Sequence, residues 1–238
     1  MKKLFIIILL IGCCGVGSGC QTTLFRKKHE PPVKVKTDTP MGLLEHAGLL
    51  QKMGDYLPAV AKYREVMVCS QDPLEIDLAK IGAAECLLKE KKYPAALVAL
   101  EPLPLDISTE TDTKKLVLAG EILLRQRRYA EAKAYLEIAM NSLDLETLLN
   151  RSKSEEMPGL ENWIPAAAAN LGCAYLKNDE PEHALVMYQF AAHLYRARGD
   201  RIQSQKSQRI HDDLAMVIQQ YAPYKPVPVV KEIHAGRM

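Results

Sequence analysis

The chain has 238 residues, which is enough for one large domain or two small ones with a substantial core. Charged residues make up 25% and aromatic residues only 6%, a balance that favours helices over sheets. The net charge of +2 comes from Lys2 and Lys3, so the chain after residue 19 is neutral, with 29 Lys and Arg (31 − 2) against 29 Asp and Glu. This neutrality lacks the excess of positive charge typical of nucleic-acid-binding domains, and we expect no nucleic-acid partner.

The chain begins with a pattern typical of a secretory signal. Two lysines precede an unbroken apolar run, Leu4–Ile11, and small residues follow. The apolar stretch up to Gly19 has 16 residues, whereas a membrane-spanning helix needs about 20. Residues 1–19 are therefore predicted to be a signal peptide.

A cysteine ends this signal. The run Gly17-Ser18-Gly19-Cys20 resembles a bacterial lipoprotein signal, in which the cysteine thiol takes a diacylglycerol. Gly17 departs from the leucine usual in that family. The run ending at Cys13 matches better but leaves a very short apolar segment, so Cys13 is the alternative, and an ordinary signal with an unmodified cysteine is a third. The resemblance implies a lipid anchor facing the periplasm, and Gln21 implies the outer membrane rather than the inner.

Residues 20–40 lack helical periodicity and contain Pro31, Pro32 and Pro40, which is typical of an extended linker. The basic residues of this linker could contact anionic headgroups or simply keep the linker solvated. The last segment, 222–238, has no period and is predicted to be an extended tail.

Four segments between the linker and residue 198 share one pattern. Each has a small residue, then a second small residue after 12 positions, with a turn residue between them. The first small residues are Ala47, Ala84, Gly120 and Gly172, and the second are Ala59, Ala96, Ala132 and Ala184. The turn residues are Tyr56, Tyr93, Tyr129 and Pro181, which are 37, 36 and 52 positions apart.

This pattern resembles the tetratricopeptide repeat (TPR), a helix–turn–helix motif with a period of about 34 residues. The resemblance implies an all-α, TPR-type helical-hairpin solenoid of about four repeats over residues 41–221. Small residues at the crossing would let the two helices of each hairpin approach closely. Asp200 is placed to cap a last helix, 200–221, whose apolar stripe would cover the open end of the array, with members Ile210, Leu214, Val217, Ile218 and Tyr221.

The wide gap before the fourth repeat predicts an insertion at residues 147–164. The insertion begins helically, turns polar, and ends near Trp163, the sole tryptophan. It is either a binding loop that presents Trp163 or a lengthened helix and loop with Trp163 packed at the start of the fourth repeat.

The TPR resemblance also implies a concave groove lined by the first helix of each repeat, which would bind a peptide or helix of another protein. The predicted groove residues are Gln51, Lys52, Glu85, Lys89, Glu121, Arg125, Asn170 and Lys177, with the leucines Leu88, Leu124 and Leu176. A basic residue recurs four positions before each turn residue, at Lys52, Lys89, Arg125 and Lys177. This row either meets acidic groups of a partner or is a solvated position that Glu85 and Glu121 neutralise.

The sequence contains no motif for a catalytic nucleophile, a phosphate loop or a metal site, so we expect no enzyme activity, cofactor or metal. His211, Asp212 and Asp213 are adjacent on a helix and make a poor ligand set. Cys86 and Cys173 are predicted to be small buried residues, and a disulfide from Cys69 is left open.

Together these features predict a membrane-anchored scaffold for protein–protein interactions. The resemblance to envelope TPR lipoproteins implies a role in assembling an envelope machine such as a pilus or secretion system. The alternatives are an activator or subunit of an enzyme that acts on peptidoglycan or lipid, and a structural spacer whose groove binds nothing.

Overall fold

A computed structural model describes residues 39–104 and 106–221. All of them belong to one of the two compact units of the chain, Val35–Met238. The predicted signal peptide, both candidate lipidation sites, nearly all of the linker and the tail lie outside the described residues.

The described ranges contain ten α-helices and no β-strand. Their bounds are α1 Pro40–Met53, α2 Tyr56–Cys69, α3 Pro73–Lys89, α4 Tyr93–Ala99, α5 Glu110–Arg125, α6 Tyr129–Asn141, α7 Leu145–Ser154, α8 Trp163–Lys177, α9 Pro181–Arg198 and α10 Arg201–Tyr221.

The helices pair into four antiparallel hairpins, α1 with α2, α3 with α4, α5 with α6, and α8 with α9. The first helices of successive hairpins also contact each other, α1 with α3, α3 with α5, and α5 with α8. Each second helix begins at a predicted turn residue, namely Tyr56, Tyr93, Tyr129 or Pro181. The prediction of an all-α, TPR-type helical-hairpin array is confirmed.

All four hairpins use the same turn. A residue with left-handed backbone lies two positions before each second helix, with φ of 87° at Gly54, 59° at Lys91, 62° at Arg127 and 59° at Asp179. The next residue donates its amide hydrogen to a carbonyl five positions back, over distances of 2.9 to 3.0 Å. This closure satisfies carbonyls that a helix end would leave unpaired.

The small residues lie where the paired helices cross. Ala59, Ala96, Ala132 and Ala184 are fully buried, and so are their first-helix partners Ala47 and Ala84. A Cβ added at Gly120 would lie 2.5 Å from Leu136 Cγ, and one at Gly172 would lie 3.2 Å from Tyr188 Cδ2. The close crossing therefore requires glycine at Gly120 and leaves little space at Gly172.

The buried side chains form two hydrophobic clusters that meet on α5. Leu118 and Ile122 belong to the cluster of the first two hairpins. Leu116 and Val117 belong to the cluster of the later helices. Because α5 packs with both, it joins the two halves of the array.

The insertion differs from its predicted bounds. Its helix, α7, begins at Leu145 rather than at residue 147, because Asp144 caps it by accepting a hydrogen bond from the Thr147 amide at 3.1 Å. Trp163 is the first residue of α8 and packs against the later core, as the second interpretation of the insertion predicts. The loop before Trp163 is fixed to α9 by a hydrogen bond from the Met157 amide to the Ala197 carbonyl, at 2.7 Å.

The last helix covers the end of the array, as predicted. The Asp200 carboxylate caps α10 by accepting a hydrogen bond from the Gln203 amide at 3.1 Å. Leu214 is buried, and Ile210 and Ile218 pack partly against the later core. The side chain of Tyr221 is not among those described.

Candidate functional site

The candidate site is the face that the first helices share, which we call the groove face. Its basic row occupies equivalent positions, four residues before each second helix, on helices that lie side by side. Lys52, Lys89 and Arg125 are exposed, and Lys177 is half-buried. Three cations of the row are therefore accessible to a partner.

The members of the row differ in their own contacts. Lys177 Nζ lies 5.9 Å from the centroid of the Tyr129 ring, within the range of a cation–π contact. Arg125 Nη2 lies 3.4 Å from Glu121 Oε1. Lys52 and Lys89 form no ion pair with any residue that the structure describes. Their charges remain available for an acidic ligand.

Glu121 pairs with Arg125 as predicted, but Glu85 does not pair with Lys89. Instead the Glu85 carboxylate accepts a hydrogen bond from Gln51 Nε2 at 2.7 Å. The Tyr63 hydroxyl donates to Gln51 Oε1, also at 2.7 Å. Gln51 and Glu85 thus connect the first two hairpins to each other, which leaves Lys89 without its predicted neutralising partner.

Gly82 provides the space that this connection needs. A Cβ at Gly82 would overlap the ring of Tyr63, the residue that donates to Gln51. Burial raises the pKa of Tyr63 to about 12, so its hydroxyl stays protonated and keeps its role as donor. The sequence did not predict this contact between Tyr63 and Gly82. Their separation of 19 positions offers no local signal.

The leucines of the groove face are half-buried. Leu88 packs against the first hydrophobic cluster, and Leu124 and Leu176 pack against the second. Asn170 is half-buried as well. An apolar floor beside an accessible basic row suits an extended or helical peptide that has apolar and acidic side chains.

A second polar network joins the third and fourth hairpins. Lys133 Nζ lies 2.5 Å from Glu180 Oε1, and the Tyr175 hydroxyl donates to the buried Glu137 carboxylate at 2.9 Å. The imidazole of His183 stacks on the Tyr175 ring with centroids 5.1 Å apart. This network fixes the end of the groove face on α8, and the sequence analysis did not predict it.

Three cysteines lie in the described residues, and all are free. Cys86 is fully buried, as predicted, and burial raises the pKa of its thiol to about 11. Cys173 is only half-buried, contrary to the prediction, because it packs at the edge of the later core and is not enclosed by it. Cys69 is exposed and forms no disulfide with another described cysteine.

In residues 39–104 and 106–221, no group of three or more His, Cys, Asp or Glu side chains could hold a metal ion. None of the helices described there has the length and apolar character needed to cross a membrane.

The repeated hairpins, their common turn and their small-residue crossings define a TPR-type helical-repeat fold. No family model matches the sequence, and no curated protein matches it. The structure is similar to the crystal structure of BtubC (BKLC) from P. vanneervenii, with 19% identity over 79% of this chain and 84% of that chain and a TM-score of 0.48.

It is also similar to a crystal structure of a putative kinesin light chain from Podospora anserina with nearly identical TPR-like repeats. That likeness has 13% identity over 76% of this chain and 94% of that chain, with a TM-score of 0.49. At such values the two likenesses say nothing about the function of this chain.

Proposed function

We propose that this chain is a lipid-anchored scaffold of the bacterial envelope that binds a segment of another envelope protein on its groove face. The observation that carries the proposal is the accessible row of cations over half-buried leucines on adjacent first helices. Lys52 and Lys89 have no ion pair among the described residues, so an acidic partner would not have to displace an existing one.

The location is proposed from the resemblance of the first residues to a lipoprotein signal. Lipid on Cys20, or on Cys13, would hold the array at a membrane on its periplasmic side, with the outer membrane preferred because of Gln21. The role that we propose there is to assist the assembly of a pilus or secretion system. The partner would be a protein of that machine, and the chain itself would be non-catalytic.

The groove face is tested by photo-cross-linking in cells. Benzoylphenylalanine at position 89, in place of Lys89, is expected to form a discrete adduct with one envelope protein. The matched control places the same group at Arg64, an exposed residue of second helix α2, and is expected to give no adduct. Equal adducts from both positions, or none from position 89, would reject the groove face and favour a spacer that binds nothing.

The anchor is tested separately by labelling with palmitate. The unmodified chain is expected to incorporate the label, and Cys20→Ala is expected to abolish incorporation. Loss of label only in Cys13→Ala would move the anchor to Cys13. Equal label in the Cys13→Ala/Cys20→Ala double variant would mean that neither cysteine carries the lipid. That result would not bear on binding at the groove face.

A further inference from the structure

A cavity of about 600 Å³ lies between the last helix of the array and the covering helix α10, away from the groove face. Its charged lining comprises Arg196 on α9 and Arg201, Arg209, Asp212 and Asp213 on α10. The cavity brings together three guanidinium groups from two helices. Nothing in the sequence analysis pointed to it.

The three arginines of this cavity are free to accept a ligand. All three are exposed, and no guanidinium group among them forms an ion pair or a hydrogen bond with another residue in the part of the chain that the structure describes. Other exposed arginines differ in this respect, since Arg128 pairs with Glu131 at 2.6 Å and Arg151 with Glu155 at 2.5 Å, whereas Arg64 and Arg127 have no ion pair among the described residues. An unpaired guanidinium presents a planar set of donors that suits a carboxylate.

Neither carboxylate of the lining, Asp212 or Asp213, forms an ion pair with these arginines in the part of the chain that the structure describes. Asp212 Oδ1 accepts a hydrogen bond from Gln208 Nε2 at 2.8 Å and lies 2.9 Å from His211 Nδ1. These contacts hold the Asp212 side chain toward α10 itself. The charged lining therefore has three guanidinium groups against two carboxylates, an excess of one positive charge (3 − 2).

Basic residues also surround His193, which is three positions before Arg196 on α9. His193, on the same helix as Arg196, has a lowered pKa because of burial and because Arg196, Lys153 and His211 lie near it. Lys153 is on α7, which packs on α9. His193 thus has basic neighbours on α7, α9 and α10.

We infer that this cavity is a second binding site, which takes an acidic peptide segment of a protein partner through its carboxylates and the guanidinium groups of Arg196, Arg201 and Arg209. The inference rests on the proposed function in one respect, namely that the partner is a protein. The site itself shares no residue with the basic row of the groove face. A segment with several successive acidic side chains matches three cations better than one isolated carboxylate does.

The test uses the purified full chain in detergent and a fluorescein-labelled hexaglutamate peptide, with hexaglutamine as the uncharged probe. Fluorescence anisotropy is expected to report binding of hexaglutamate only. Arg201→Glu/Arg209→Glu is expected to weaken it by about tenfold or more. Arg201→Lys/Arg209→Lys keeps the charge but loses the planar donors, and an intermediate loss is expected.

The matched control is Arg64→Glu/Lys206→Glu, which makes the same change in net charge at exposed positions outside the cavity. It is expected to bind like the unmodified chain. Unchanged binding in Arg201→Glu/Arg209→Glu would overturn the inference. So would loss of binding in Lys89→Glu/Arg125→Glu alone, because the acidic probe would then occupy the groove face.

Two further outcomes would also overturn it. One is binding of inorganic phosphate, without hexaglutamate binding, in the same titration. The other is binding of phosphatidylglycerol vesicles with no binding of the peptide. Cross-linking from position 89 does not depend on these outcomes. The peptide-binding proposal for the cavity can therefore be rejected without rejecting partner binding at the groove face, and the reverse. Circular dichroism of each variant verifies that the helices remain folded.

Discussion

The Nζ atom of Lys115, on α5, lies 2.5 Å from Oδ1 of Asp77, on α3, in an ion pair that joins the first helices of the second and third hairpins. Only 6% of the Lys115 side chain is exposed, against 25% for Asp77. A buried ammonium group needs a counter-charge because its hydration has been lost. The stability of the contact between α3 and α5 therefore depends on the carboxylate of Asp77.

Asp77→Ala is expected to lower the free energy of unfolding by about 2 kcal/mol, less than the loss for a fully buried pair because water reaches Asp77. The control is Glu65→Ala, whose partner Lys62 lies 2.8 Å away in an exposed pair, and it should cost at most about 0.5 kcal/mol. Urea denaturation followed by circular dichroism measures both. Equal effects would contradict the structural role assigned to Lys115.

Two glycines in first helices are expected to respond to alanine with opposite signs. A Cβ at Gly120 would overlap Leu136, so Gly120→Ala should destabilise the fold by about 1–3 kcal/mol. A Cβ at Gly48 meets nothing within 4 Å, so Gly48→Ala should stabilise helix α1 by about 0.5–1 kcal/mol. Thermal melting distinguishes the two variants. Destabilisation by both variants would contradict the open space that the structure shows around Gly48.

The cysteines are expected to differ in reactivity. Cys69 is exposed and should react with iodoacetamide quickly at neutral pH. Cys86 is buried, with a pKa raised to about 11, so it should react only after the fold is lost. Mass spectrometry of tryptic peptides after timed labelling measures each rate. Rapid labelling of Cys86 in the folded chain would contradict its burial beneath the first hairpins.

His193 makes stability depend on pH near neutrality. Its pKa in the folded chain lies below the ordinary value of 6.5, first because of burial and then because of Arg196, Lys153 and His211. Between the two pKa values the unfolded chain binds a proton that the folded chain does not. The contribution of His193 to stability is therefore fully present above pH 6.5 and is lost as the pH falls from 6.5 through the lowered pKa of the folded chain.

His193→Gln should accordingly reduce the loss of stability between about pH 7 and pH 5. Urea midpoints measured across this range compare the variant with the unmodified chain. An NMR titration of the His193 ring in the folded chain gives its pKa directly. A value above 6.5, or an unchanged pH dependence in the variant, would contradict the assignment.

The hairpins could be predicted because their determinants are local. Ala84 and Ala96, or Gly120 and Ala132, are 12 positions apart and meet within one hairpin. A spacing that repeats four times is visible without knowledge of distant contacts. The turn residues predicted where every second helix begins.

The turns show where local sequence falls short. Glycine readily adopts the left-handed backbone conformation that Gly54 has, but lysine and arginine, as at Lys91 and Arg127, do not. Such strain costs about 1–2 kcal/mol for a residue with a Cβ. In each hairpin the backbone hydrogen bond that closes the end of the first helix offsets this cost. The conformation of Lys91 and Arg127 is therefore set by the hairpin and not by their own preference.

The connections between hairpins could not be predicted for a different reason. Asp77 and Lys115 are 38 positions apart, and Gln51 and Glu85 are 34 apart. Each pair meets only after two hairpins have stacked. The arginine cavity likewise depends on how α10 lies against α9, which the apolar stripe of α10 does not specify.

The central claim is that the groove face binds the partner, and it is tested most directly by the affinity for the protein cross-linked from position 89. Lys89→Glu/Arg125→Glu reverses two cations of the row, and Arg64→Glu/Lys206→Glu makes the same change in charge elsewhere. Isothermal titration calorimetry measures both variants against that protein. We expect the affinity to fall by about tenfold or more in Lys89→Glu/Arg125→Glu and to stay unchanged in Arg64→Glu/Lys206→Glu. Unchanged affinity in Lys89→Glu/Arg125→Glu would contradict the central claim.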